Sequence, residues 1–135
     1  MTAVATLTGA DLALWVARAQ KLNVVRDGEP DDAQWIVYFS NGFCKSFGLY
    51  GYRPDLNWAD GGPLIDQHTI AIAKGANQIC FPGWHAKVGL VNVYDPNTGR
   101  QFGPTPLIAA MRALVWSVYG DSVPDEDFMN TKGGA

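Results

Sequence analysis

The chain has 135 residues, 47% of them hydrophobic and 17% charged. That balance excludes the low-hydrophobicity, high-charge class of disordered chains and fits one domain around one core. Ten Lys and Arg against thirteen Asp and Glu give a formal charge of -3, which leaves no basic footprint for displacing counterions from duplex nucleic acid.

Residues 1–7 lack the basic and apolar regions of a leader, and no stretch approaches the roughly 20 apolar residues that span a bilayer. A cytoplasmic protein with no membrane partner is expected. Cys44 and Cys80 are far apart, with no C-x-x-C pairing. In a reducing compartment such residues are expected to be small buried hydrophobes with free thiols.

Thr8-Gly9-Ala10-Asp11 has the spacing of a capping box with Asp in place of Glu, and Leu7 is placed to staple onto Leu12. Leu12, Trp15, Val16 and Ala19 then recur at helical spacing, predicting a first helix that ends near Gln20 to Leu22. Val24-Val25 and Trp35 to Phe39 read as strands joined by the turn-forming run Asp27 to Asp32. Asn41 to Asn57 mixes glycines and Pro54 with aromatics, which predicts a long surface excursion with aromatic anchors.

Trp58-Ala59-Asp60-Gly61-Gly62-Pro63 reads as a turn, followed by a strand through Ile70 and Ile72. Gln78 to Phe81 and Lys87 to Tyr94 are further strand candidates, and Asp95 to Gly99 is turn chemistry. Thr105-Pro106 is a strong helix start, because Pro at the first helical position loses only a hydrogen bond that was missing anyway. Leu107, Ile108, Met111, Leu114, Val115 and Val118 give that second helix its apolar face, and Gly120 is placed to end it. Asp121 to Ala135 turns acidic and then glycine-rich, and is predicted to fray.

The pattern predicts an α+β domain over residues 1–122, with two main helices on one face of a small twisted antiparallel sheet and a flexible tail over 123–135. Stripes of small residues (Ala10, Ala13, Ala17; Ala109, Ala113, Ser117) would let helices meet closely, within one chain or across a homo-oligomer. Trp116, on the far side of its helix from the apolar face, is expected to be exposed and so to favour an oligomer.

Three segments, Leu7 to Ala17, Pro54 through Trp58 to Ile65, and Gly103 to Arg112, together resemble a family of short phage-encoded proteins called NinX-like. Their order and spacing also fit that family. The resemblance covers both helices and the central turn, and implies an accessory protein acting inside an infected cell. It carries over no reaction and no catalytic residue.

Two constellations suggest chemistry. Gly103 to Pro106 opens a helix whose unpaired N–H groups and dipole suit a phosphate or carboxylate, with Thr105 at the cap; the competing reading is a rigid capped corner. Trp58, Asp60, Gly61 and Gly62 combine a flat apolar platform, an acceptor and two glycines that admit a close approach. Tyr50, Tyr52 and Arg53 would complete an aromatic and cationic wall able to stack on a base or grip a phosphate. In the competing reading Trp58 plugs the core and the glycines shape a turn.

His68, His85, Cys44 and Cys80 are too dispersed to mark a metal site, and His85 reads as a loop or strand-end residue. Neither a Walker A loop, a G-x-G-x-x-G fingerprint nor a G-x-S-x-G elbow is present, so no cofactor is implied and an enzyme is the minority reading. The expected function is that of a phage binding protein engaging a small anionic metabolite such as a nucleotide, one version being sequestration of a host-defence signal. The alternatives are a module that docks on a host protein, and a nucleotide-acting enzyme with Asp60 or His85 as general base.

Overall fold

The computed structural model describes residues 1–27, 34–48, 51–74, 83–89 and 100–124. Tyr50, Cys80, the strand candidate Gln78 to Phe81, most of Lys87 to Tyr94, the turn Asp95 to Gly99 and residues 125–135 lie outside them.

Strand β1 (Thr2–Ala3) leads through a short 3-10 turn into helix α1 (Gly9–Ala19). The helix starts where its capping signal put it, but the Thr8 side chain makes no cap hydrogen bond. The reason is local: Gly9 has φ +60°, so the chain enters the helix through a left-handed residue, not along the helical path a capping box needs. Leu7 and Leu12 both join the buried core. Leu12 through Ala17 and Ala19 are buried, a wider face than a simple amphipathic stripe requires.

A first sheet follows, ordered β2 (Asn23–Asp27), β3 (Gln34–Tyr38), β4 (Cys44–Ser46), all antiparallel. Its third strand corrects the expectation of an irregular excursion over 41–57, whereas the burial of Phe47 and Tyr52 fits the aromatic anchors expected there. Phe39 accepts from Gly42 and donates to Phe43 through the backbone, which closes a hairpin. Cys44 is free and exposed on that hairpin, not buried as expected. Arg18 of α1 lies 5.1 Å from the ring centroids of both Trp15 and Trp35, pinning the sheet to the helix by cation–π contact.

Helix α2 (Trp58–Gln67) occupies the segment expected to be a turn. Two glycines and an internal Pro63 oppose a helix by propensity, at roughly 1 kcal/mol per Gly and 3 for Pro, so its support comes from its surroundings. The Asn57 side chain caps it by accepting from the Ala59 N–H at 2.9 Å. Gly61 is closely packed: a Cβ there would lie 2.7 Å from Leu107 Cδ2 and would overlap the Pro54 carbonyl oxygen.

A second antiparallel sheet, β5 (Ile70–Lys74), β6 (Trp84–Val88), β7 (Gln101–Gly103), carries helix α3 (Pro106–Tyr119) on one face. Helix α3 also packs against α1 and α2, which makes it the centre of the core. Thr105 caps it, its Oγ1 accepting from the Ile108 N–H at 3.2 Å, and Gly120 ends it at φ +82°. His85 is the second residue of β6 with 1% exposure, a buried strand residue near the strand's start and not in a loop.

Two expectations about the C-terminal end of α3 are corrected. Val118, assigned to the apolar face, is 45% exposed, because it lies beyond Val115, the last fully buried residue of α3. Trp116 is half-buried against the core and donates its Nε1–H to Asp121 at 2.8 Å, and is not the exposed residue expected. Beyond it, β8 (Ser122–Val123) pairs with β1 and Val123 is fully buried. Order therefore continues past Asp121. The α+β class holds, with three helices and three small antiparallel sheets among the described residues.

Candidate functional site

The stretch from Tyr52 to Gly62 is organised from its backbone outward. The Arg53 carbonyl accepts from the Leu56 and Asn57 N–H groups, at 3.0 and 2.8 Å, and folds the chain into a tight turn. The Arg53 N–H donates to Asp60 Oδ2 at 3.0 Å, which locks that turn to the first turn of α2. Asp60 Oδ1 pairs with Lys45 at 3.6 Å and so ties α2 to β4. Asp60 thus serves as a brace with a side chain only 10% exposed.

Within the turn, Arg53 donates Nε–H and Nη2–H to the two Asp55 oxygens, both at 2.9 Å. This fork-on-fork geometry is the strong form of the pair. Donating these hydrogen bonds to Asp55 holds the guanidinium more firmly protonated than usual. The Asp55 side chain is 4% exposed, and Nη1 of Arg53 has no partner among the described residues.

Tyr52 points the other way. It is buried, with Phe39 and Phe47 edge-on at 5.3 and 6.3 Å, and its hydroxyl accepts from Gln20 Nε2 at 2.7 Å. Burial is the main cause that pushes its phenol up to about 12.

On the solvent side the turn forms one wall of a cleft of about 480 Å³, within the range of small-molecule sites. Arg53, Asp55, Leu56 and Trp58 supply this wall, residues 105–108 at the start of α3 the opposite one, and Gly9 of α1 the end. Trp58 is 54% exposed, so the reading in which it plugs the core is set aside. Arg112 braces both ends from beneath. Buried on α3, it donates to the Leu7 carbonyl at 3.0 Å and the Phe102 carbonyl at 2.7 Å, just upstream of Gly9 and Thr105. Burial lowers its pKa.

The cleft thus brings together Arg53, Trp58 and Thr105 of the expected site residues. Tyr52, Asp60 and Gly61 instead lie behind the wall as packing and bracing groups, and Gly62 faces Trp58, a Cβ there lying 3.8 Å from Cε3. Tyr50 lies outside the described residues. At Thr105 the hydroxyl is spent on Ile108, the Ala109 N–H goes to the Thr105 carbonyl at 3.1 Å and Pro106 has no N–H. In that turn the Thr105 and Leu107 N–H groups keep no hydrogen bond among the described residues. The start of α1, without a side-chain cap, keeps more of its donors.

Gly9, Asp55 and Leu56 were missed by sequence reasoning. The signal for Asp55 was its place two residues after Arg53 in a turn, close enough for an ion pair. No local pattern marks Gly9, which reaches the cleft through tertiary packing alone.

Among the described residues no group of three His, Cys, Asp or Glu side chains gathers as a metal site, and no helix is long and apolar enough to cross a membrane. No curated protein matches the chain. A family model described as Bacteriophage P22, NinX matches residues 3–117, a span that takes in α1, α2, most of α3 and every wall of the cleft. The chain belongs to the phage P22 NinX family.

Proposed function

We propose that this protein is a phage accessory binding protein, acting without turnover in the cytoplasm of the infected cell, and that the cleft holds a small ligand combining a flat ring with an anionic group, as a nucleotide does. The observation that carries this reading is the exposed Trp58 indole on the same cleft wall as the Arg53 guanidinium. An indole face supports a stacked base and a guanidinium an anion. The uncapped start of α1 adds donors at the cleft's end. Sequestration of a host-defence nucleotide is one use such a site supports.

Among the described residues, the groups considered as a general base are committed elsewhere. His85 is buried in β6, Asp60 is committed to Lys45 and the Arg53 backbone, and Asp55 is committed to Arg53. A thermal-shift screen against mono-, di- and cyclic nucleotides tests the proposal, because a ligand that prefers the native state raises its melting temperature. A rise that disappears in Trp58→Ala is expected, and a flat response from folded protein across the panel would remove the nucleotide reading.

One observation favours a second reading. Leu56 and Trp58, 51% and 54% exposed, stand together at the rim of the cleft and would suit an anchor on a host protein. Nucleotide-independent capture of one host partner, lost on Leu56→Asp, would favour docking.

A further inference from the structure

We propose that Asp55 is a specificity-determining residue that restricts the cleft to ligands with a single negative charge, such as a base joined to one phosphodiester, and excludes di- and triphosphates; this rests on the nucleotide-binding reading above.

Among the described residues, the charged side chains lining the cleft are Arg53 and Asp55, one of each sign, bound through both carboxylate oxygens at 2.9 Å. Behind the turn, Lys45 and Asp60 also form a pair of opposite sign, at 3.6 Å, and the buried Arg112 is held by the Leu7 and Phe102 carbonyls. Among the described residues the charged side chains lining the cleft therefore cancel, in a chain whose formal charge is -3.

A ligand with several phosphate charges would meet the repulsion of the Asp55 carboxylate with one guanidinium to offset it. A singly charged ligand can take the remaining Arg53 Nη1 donor while Asp55 keeps Nε and Nη2. Asp55 also fixes the guanidinium plane, so one residue both orients the anion-binding group and limits how much charge it accepts. The apolar lining from Leu56, Trp58 and Leu107 likewise suits a ligand that is mostly ring.

The test is calorimetric titration of the full chain with adenosine, cyclic AMP, ADP and ATP, for the wild type and Asp55→Asn. Wild-type protein is expected to bind cyclic AMP at least tenfold more tightly than ATP. The uncharged amide is expected to raise ATP affinity relative to cyclic AMP by about tenfold, as loss of a nearby like charge predicts. Wild-type affinity for cyclic AMP is also expected to change little between low and moderate salt, since the charged side chains lining the cleft cancel; this holds the proposal to account even if Asp55→Asn fails to fold. Tighter binding of ATP than of cyclic AMP, or a steep loss of cyclic AMP affinity with salt, would overturn the inference while leaving nucleotide binding intact. No binding by any of the four would overturn the nucleotide reading and this inference together.

Discussion

The two sides of one short segment, Tyr52 to Gly62, differ as sharply as a core differs from a surface. Its inner side holds Tyr52 against Phe39 and Phe47, Asp60 against the Arg53 backbone, and Gly61 against Pro54 and Leu107. Its outer side presents Leu56 and Trp58 to solvent. In sequence these residues form one aromatic and glycine-rich patch. The fold sorts them: the inner residues make a rigid support, and the outer ones stay exposed to solvent.

The sharpest way to break this division is at the two adjacent glycines. Gly61→Ala is expected to cost about 3 kcal/mol, since the added carbon overlaps a backbone carbonyl that cannot move aside easily. Urea unfolding would measure it. A cost under about 0.5 kcal/mol, within the range of ordinary surface changes, would show that α2 does not pack as described.

Tyr52 is the next largest. Its phenol is raised from 10.0 to about 12, so folding favours the protonated form. The associated stability, about 2 to 3 kcal/mol, is fully present below pH 10 and lost as pH rises toward 12. Comparing wild type with Tyr52→Phe over that window isolates the effect, and parallel curves would place Tyr52 in solvent.

Across the cleft, Thr105→Ala should cost about 1 kcal/mol through loss of the cap on α3. It should leave ligand affinity within twofold, because that hydroxyl is already spent on the helix; a larger affinity loss would restore Thr105 as a ligand contact. Smallest of all, Gly62→Ala should stabilise by about 0.5 kcal/mol, because its Cβ meets Trp58 at an ordinary 3.8 Å and alanine suits a helix better. A destabilising result would mean that Gly62 is as confined as Gly61.

The two long helices, their order and the strands around Val24, Trp35 and Ile70 were legible in the sequence, because periodicity, the Thr105-Pro106 start and the Gly120 stop are local signals. Helix α2 was not, because Gly61, Gly62 and Pro63 carry turn chemistry and only tertiary packing overrides it. The candidate site was half legible. Arg53, Trp58 and Thr105 stand in the cleft, whereas the burial of Tyr52 depends on Phe39, Phe47 and Gln20, residues remote in the chain. The contribution of Gly9 is equally non-local, since Arg112 holds the Leu7 carbonyl from a distance of over a hundred residues in sequence. What failed in the sequence reading was the sorting of inner from outer residues, which depends on partners that no short window contains.

The most direct test of the cleft as a binding site is a calorimetric titration of wild type and Trp58→Ala with cyclic AMP, alongside urea unfolding of both. Trp58 is exposed, so the variant should unfold within about 0.5 kcal/mol of wild type, while its affinity should fall at least tenfold with loss of the stacking surface. Equal affinities in two equally stable proteins would contradict the account.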